Sequence, residues 1–196
     1  MLLARTGRRQ DPDAVEATAA AVAEAVLASA LPRRWDHVRA VARRAADLAV
    51  GLPPDEVRTL VSAAWLHDVG YAPAVADTGF HPLDGARYVR ALGFGDRIAA
   101  LVAFHSAAAA KARVLGLADQ LAEFTDEDTV VRDLLWYADM TIGPDGAPMD
   151  VESRLAEIRR RRADDPRAIA ALDLGLPARW AAVARAEAWL RSRGPG

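Results

Sequence analysis

The stretch "AAWLHDVGYAP", residues 63–73, places a histidine and an aspartate side by side at the end of an apolar run. The apolar residues before the pair recur at spacings of three and four, which is typical of one buried helical face. His67 and Asp68 continue that face, and Gly70 interrupts it. A buried carboxylate without a partner costs several kcal/mol, so the pair needs partners from elsewhere in the chain.

Alanine and leucine dominate the chain, and runs of β-branched residues are short, so the sequence predicts an all-α fold. We expect a single domain over residues 1–196, with a core at about 31–142 and a C-terminal helical extension at about 150–194. The extension holds few chemical motifs, which predicts a packing role. Proline, glycine and capping residues place the helices at roughly 11–30, 32–50, 53–70, 82–92, 95–115, 126–141, 150–162 and 177–193, with a loop at 71–81.

The composition is that of an ordinary globular protein, with 52% hydrophobic and 27% charged residues and a formal net charge of -2. This charge gives no basic field for a nucleic-acid polymer or an anionic membrane. No apolar run approaches the ~20 residues that span a bilayer, and the N-terminus lacks the apolar region of a signal peptide, so we expect a cytoplasmic protein. Because the chain has no cysteine, disulfides, zinc–thiolate sites, iron–sulfur clusters and thiol nucleophiles are excluded.

The four histidines of the chain lie on four different predicted elements. His37 and His105 each continue an apolar stripe at helical spacing, as His67 does, and Asp139 extends another such stripe. Only His81 lies in a predicted loop, just before a helix. Several titratable side chains are therefore expected to point into the same interior from separate helices.

Inward carboxylates need positive charge, and we expect no lysine or arginine on those helical faces. A single histidine on an apolar face is more often a core residue, and Asp68 or Asp139 alone is compatible with a carboxylate that only accepts a hydrogen bond. The complete set of four histidines and two aspartates favours a metal site instead. Imidazole nitrogen and carboxylate oxygen suit Fe, Mn, Zn, Co or Ni, and Asp68 can either bind one ion with His67 or bridge two.

The order H…HD…H…H…D resembles that of the HD superfamily of metal-dependent phosphohydrolases. The chain is similar to its dinuclear branch, which includes bacterial dinucleoside-tetraphosphate hydrolases and, more distantly, HD-type di-iron oxygenases. The resemblance implies an HD-domain helical bundle with extra C-terminal helices and two divalent metal ions. By it, His37, His67, Asp68 and Asp139 hold the first ion, Asp68 bridges, and His81 and His105 complete the second site. The motifs that carry it are "RWDHVRAVA", "LHDVG", "GFHPLDGARYV", "VAFHS" and "YADM", within residues 31–142.

The sequence departs from its relatives in ways that leave the substrate open. Many relatives carry a lysine where this chain has Tyr71. The tetraphosphate hydrolases tend to have a threonine- and glycine-rich turn after the fourth histidine, where this chain reads "HSAAAAKARV". The "GYP" signature of cyclic-di-GMP phosphodiesterases is missing.

We therefore predict a metal-dependent phosphohydrolase that acts on a small phosphate ester or a nucleotide with a metal-activated water. Asp68 is the predicted catalytic residue, because a bridging carboxylate can also orient the attacking hydroxide. Arg34 and Lys111 are candidate contacts to a substrate phosphate, although the favoured interpretation of Lys111 is a solvated surface cation. The alternatives are an HD-type di-iron oxygenase and a non-catalytic, metal-binding regulatory module.

Two features near the C-terminus are assigned structural roles. The run "RRRR" at 159–162 predicts an exposed helix end, where positive charge suits the helix dipole. Trp180 and Trp189 are expected to pack the last helices onto the domain or onto a partner subunit, which leaves a homodimer possible. No membrane and no nucleic-acid polymer is expected as a partner.

Overall fold

The computed structural model describes residues 12–193, and it is all-α, as the sequence predicted. Among these residues the extended structure is limited to one isolated bridge between Ile142 and Pro148. The predicted start of the first helix at Asp11 lies outside the described residues. The α-helices are α1 (Pro12–Leu27), α2 (Pro32–Leu48), α3 (Pro54–Leu66), α4 (His81–Ala91), α5 (Asp96–Phe104), α6 (Ala108–Leu115), α7 (Ala118–Leu121), α8 (Val130–Met140), α9 (Val151–Arg161) and α10 (Pro166–Arg191), with short 3-10 helices at Val69–Tyr71 and His105–Ala107.

The predicted helix at 95–115 is wrong in one respect, because it is broken in the middle. Ser106 and Ala107 adopt positive φ angles of 52° and 58°, which an α-helix cannot accommodate. The chain turns there, and α5 and α6 become separate helices.

The last helix is longer than predicted, since it begins at Pro166 and contains Pro177 in its interior. Its start is capped by Asp165, whose side chain accepts a hydrogen bond from the Ala168 amide at 3.0 Å. Pro177, at which the helix was predicted to begin, is therefore an interior residue. The short helix α7 was not predicted.

The apolar stretch Asp96–Leu115 corrects the expectation that no run is long enough to cross a membrane. It spans 20 residues with a mean hydropathy of 1.4, which meets the length and composition of a membrane span. However, 61% of an 18-residue window within it is buried in the fold, and the stretch is interrupted at Ser106 and Ala107. Within the part of the chain that is described, this stretch therefore behaves as the core helices of a bundle.

Helix α3 lies at the centre of the bundle and packs against α1, α2, α5 and α8. Its residues Leu60, Ala63 and Leu66 are completely buried. The adjacent His67 and Asp68 consequently enter the interior at the C-terminal end of the central helix.

The C-terminal helices pack over the end of the bundle at which α3 stops. Helix α10 contacts α6 and α8, and Arg185 anchors it with two hydrogen bonds of 2.6 and 2.7 Å to the buried carboxylate of Asp133 on α8. A smaller apolar cluster joins α8, α9 and α10 through Met140, Val151, Leu155, Leu172 and Val183. The extension thus shares a second, small core with the domain.

Gly70 allows the start of α4 to approach the His67–Asp68 pair. A Cβ atom at Gly70 would lie 2.0 Å from the carbonyl oxygen of His81 and 2.6 Å from the amide nitrogen of Gly85. Both are backbone atoms of the same helical turn, so they cannot move aside independently. Glycine is required here by the close approach of two backbones.

We expect Gly70→Ala to lower the free energy of unfolding by about 1–3 kcal/mol, because it overpacks backbone against backbone. Gly85→Ala is the matched control, since its Cβ would meet the nearest atoms at 3.1 and 3.3 Å and needs only a small adjustment. Urea denaturation of both variants measures the difference. Equal effects would contradict the proposed close approach.

Candidate metal centre

The six predicted metal ligands come together at one place in the bundle. They form two groups, His37 with His67 and Asp139, and Asp68 with His81 and His105, whose ligand atoms lie within 4.8 Å of one another in each group. Helix α2 supplies His37, α8 supplies Asp139, α4 begins with His81, and His67 and His105 directly follow α3 and α5. Residues far apart in sequence are therefore neighbours because five helices converge here.

The cluster is almost sealed from solvent. His37 and His67 are fully buried, Asp68 and His105 are 3% exposed, and Asp139 is 8% exposed. The His81 side chain is 12% exposed and lies on the side that opens towards a cavity. His81 is the first residue of α4 rather than the loop residue that the sequence suggested.

Three of the histidines are oriented by the backbone so that their Nε2 atoms face the centre. A carbonyl only accepts hydrogen bonds, so the Nδ1 atom of each ring carries the proton, and Nε2 keeps a free lone pair in the neutral ring. The Nε2 atom of His67 is buried and has no hydrogen-bond partner among the described residues. The Nδ1 contacts are His37 to Gly143 O at 2.8 Å, His67 to Ala64 O at 2.7 Å and His105 to Val102 O at 2.6 Å.

The Asp68 carboxylate lies between the two groups. Its Oδ2 atom is 3.3 Å from Nε2 of His67 and 3.8 Å from Nε2 of His37. Its Oδ1 atom is 3.3 Å from Nε2 of His81 and 3.7 Å from Nε2 of His105. Each oxygen faces a different set of histidines, as a bridging ligand would.

The spacing of the nitrogen atoms also fits metal binding. Nε2 of His81 lies 3.1 Å from Nε2 of His105. Two imidazole nitrogens bound to one ion at about 2.0–2.1 Å lie about 3 Å apart when they occupy neighbouring coordination positions. The donor set therefore fits a divalent transition metal in its atom types, tautomers and spacing.

Ionisation of the cluster is set by burial and by the neighbouring charges. Burial alone would raise the pKa of Asp68, but His67 and Arg34 outweigh burial and hold this pKa well below its usual range. Burial likewise opposes ionisation of Asp139, yet His37 and His67 keep its pKa below the ordinary value. Burial lowers the pKa of His81 to about 3. Both carboxylates are thus anionic and His81 is neutral at neutral pH, the forms in which these groups bind metal.

The expectation that no arginine faces these carboxylates is wrong. Arg34 Nη1 lies 2.7 Å from Asp68 Oδ2, because Arg34 precedes His37 by about one turn on α2. Arg154 Nη2 lies 4.0 Å from Asp139 Oδ1. Both carboxylates therefore already have a cation nearby. The feature that indicates a metal site is the convergence of the Nε2 atoms.

A cavity of about 140 Å³, here called the cationic cavity, opens above the cluster. Both predicted phosphate contacts, Arg34 and Lys111, line it. Burial, followed by the charge of Arg162, lowers the pKa of Lys111. Lys111 is partly buried, and its Nζ atom lies 5.7 Å from the ring centre of Phe80. The cationic side chains that line the cavity are Arg34, Lys111, Arg154, Arg161, Arg162 and Arg179.

Sequence reasoning missed that the C-terminal extension supplies most of these cations. In the run at 159–162, Arg159, Arg160 and Arg161 are exposed, as predicted, and Arg159 pairs with Asp173. Arg161 and the partly buried Arg162 also line the cavity, which the sequence did not predict. The packing role predicted for the extension is therefore incomplete. One signal was available, since Arg154 shares the apolar stripe of Val151, Leu155 and Ile158 and is 4% exposed.

The sequence predicted no site role for Arg179, and it marked Tyr71 only as a departure from the lysine of many relatives. Tyr71 stacks on the His81 ring at 3.8 Å between centroids, and the Arg34 guanidinium lies 4.3 Å from the Tyr71 ring centre. Arg179 Nη2 donates a hydrogen bond of 2.8 Å to the carbonyl oxygen of Ser106, in the left-handed turn after His105. Tyr71 thus supports one face of His81, and Arg179 holds the turn that positions His105.

These features define a helical bundle with a buried histidine–aspartate cluster beneath a cationic cavity. The family model of the HD domain matches residues 34–158, which is more than half of the chain. The chain belongs to the HD-domain superfamily of metal-dependent phosphohydrolases, as the sequence predicted. The match includes most of α9, beyond the predicted end of the core near residue 142. No curated protein and no solved structure matches the chain.

Proposed function

We propose that the protein is a metal-dependent phosphohydrolase that binds two divalent ions, drawn from Fe, Mn, Zn, Co and Ni, and hydrolyses a small phosphate ester or nucleotide. The proposal rests on one observation. The two oxygens of Asp68 face two different groups of candidate ligands, directly below the cationic cavity. His37, His67, Asp68 and Asp139 would hold the first ion. Asp68, His81 and His105 would hold the second.

The charges around the cavity favour an anionic substrate. Six cationic side chains line it, against only the two carboxylates of Asp68 and Asp139. Guanidinium groups suit phosphate because they offer several donors in a plane. When bound, the ions supply a water of lowered pKa and neutralise charge on the phosphoryl oxygens. In this proposal Arg34, Lys111 and Arg162 orient the phosphoryl group, and Asp68 orients the attacking oxygen.

We also propose that the partner of this site is a small molecule. A cavity of about 140 Å³ at the end of a helical bundle suits a small molecule better than a nucleic-acid polymer or a membrane surface. Trp189 packs against the main core, whereas Trp180 is 41% exposed. A cytoplasmic location and a homodimer stay as predictions.

The proposal predicts that Asp68→Ala abolishes ester hydrolysis while the protein stays largely helical. Activity on a panel of phosphate esters, measured with manganese, iron, cobalt, zinc or nickel, together with circular dichroism, tests this. Full activity of Asp68→Ala would refute the role of this carboxylate. Dioxygen consumption without ester turnover in the parent protein would instead support the oxygenase alternative, and metal binding without either activity would support the regulatory module.

The number of ions is tested by metal analysis of purified variants. We expect about two ions per chain in the parent protein, and a fall towards one in His81→Ala or His105→Ala, with a matching loss of hydrolysis. His37→Ala should weaken the first site directly and the second through Asp68. If the parent protein holds one ion, and the His81 and His105 variants keep it with full activity, the dinuclear assignment is wrong.

The arginine run offers a matched pair of variants for the cationic cavity. Arg162 lines the cavity and Arg160 faces solvent. Loss of one charge-assisted hydrogen bond to phosphate removes about 1.5 kcal/mol, so Arg162→Ala should raise KM about tenfold. Arg160→Ala should leave both KM and kcat unchanged. Equal behaviour of the two variants in steady-state kinetics would show that Arg162 does not contact substrate.

A further inference from the structure

A second cavity of about 510 Å³ lies beside the cationic cavity, and we call it the side groove. The two cavities share Arg34, Tyr71 and Arg161 in their linings, so they adjoin at these side chains. The remaining wall of the side groove is largely apolar, and it is formed by Ala30, Leu31, Pro32 and Pro144 with Arg33 and Glu157 at its edge.

The size of the cationic cavity limits what it can hold. Pockets that enclose whole small molecules usually measure about 300–1,000 Å³, well above the 140 Å³ found here. The cationic cavity has room for a phosphoryl group but not for the organic part of an ester as well. Since the side groove adjoins it, the organic part of a bound substrate would lie there.

The lining of the side groove favours an apolar group over a sugar or a base. Glu157 is the carboxylate at its edge, and it already accepts hydrogen bonds of 2.7 Å from both Arg154 and Arg161. A nucleoside buried against Leu31 and Pro32 would leave polar edges without partners, which is costly. Binding of an alkyl or aryl group would instead remove apolar surface of both the ligand and the groove from water.

We propose that the side groove binds the apolar organic group of a phosphate monoester whose phosphoryl group occupies the cationic cavity. This inference rests on the proposed function and narrows its substrate class. In the reaction the water oxygen bonds to phosphorus, the ester P–O bond breaks, and the alcohol leaves with a proton while phosphate is released. Tyr71 and Arg34 lie where the two cavities meet and would contact the ester at the junction of its polar and apolar parts.

The test uses binding rather than turnover, with unbranched alkylphosphonates as probes, since water does not cleave their C–P bond. Isothermal titration calorimetry on the metal-loaded, full-length protein compares methyl-, ethyl-, propyl- and butylphosphonate. A buried methylene contributes about 0.8 kcal/mol, so each added carbon should lower Kd about fourfold. The Kd should fall at each step from methylphosphonate to butylphosphonate.

Two neutral substitutions locate the effect without adding charge near the phosphonate. Leu31→Asn and Ala30→Gln should both flatten the dependence on chain length, and the Kd of methylphosphonate should stay within about twofold because phosphoryl contacts are retained. Ala30 is exposed, so its variant is expected to fold as the parent does. Leu92→Asn is the control, since Leu92 is 48% exposed at the end of α4 and lines neither cavity.

The outcomes separate this inference from the proposed function. If methylphosphonate binds but longer chains bind no better, the phosphoryl site stands and the apolar role of the side groove is wrong. If adenosine or uridine monophosphate binds more tightly than butylphosphonate, and Leu31→Asn removes that gain, the side groove takes a base and the apolar class is overturned. If no phosphonate and no phosphate ester binds, the proposed function itself fails.

Discussion

The Asp68 carboxylate, which is 3% exposed, sets the arrangement of the helices around it. A buried negative charge is stable only if donors or cations meet it from several sides, and here the partners come from four different elements. Helix α2 contributes Arg34 and His37, α3 leads into His67, α4 begins with His81 and α5 ends before His105. The bundle is therefore apolar along most of its length and polar at the end where these helices converge.

The C-terminal helices complete this polar end. Arg154 and Arg161 on α9, Arg162 at its end and Arg179 on α10 face the cavity from the side opposite the histidines. Their helices are held by the small core around Met140 and by the ion pair between Asp133 and Arg185. Four of the six cations thus come from residues 154–179, whereas the candidate ligands lie between residues 37 and 139.

The sequence was a good guide to everything that depends on periodicity. Stripes of apolar residues predicted most of the helices and placed His37, His67, His105 and Asp139 inside, and all six candidate ligands do meet. The sequence was a poor guide to the backbone angles of single residues and to the positions of long side chains. Neither Ser106 nor Ala107 favours the left-handed region, so nothing local marked the break. The reach of Arg34 to Asp68, and of Arg161 and Arg162 into the cavity, depends on how the helices dock, which spacing within one helix does not reveal.

The left-handed turn at Ser106 and Ala107 links the order of synthesis to the completion of the site. Such a conformation costs about 1–2 kcal/mol for each residue, and Arg179 stabilises it through the carbonyl of Ser106. Because a chain is made from its N-terminus, the last ligand, Asp139, emerges from the ribosome before α9 and before Arg179. All six candidate ligands are thus synthesised before the residue that stabilises the turn after His105. The position of His105 therefore depends on a part of the chain that is made after every candidate ligand.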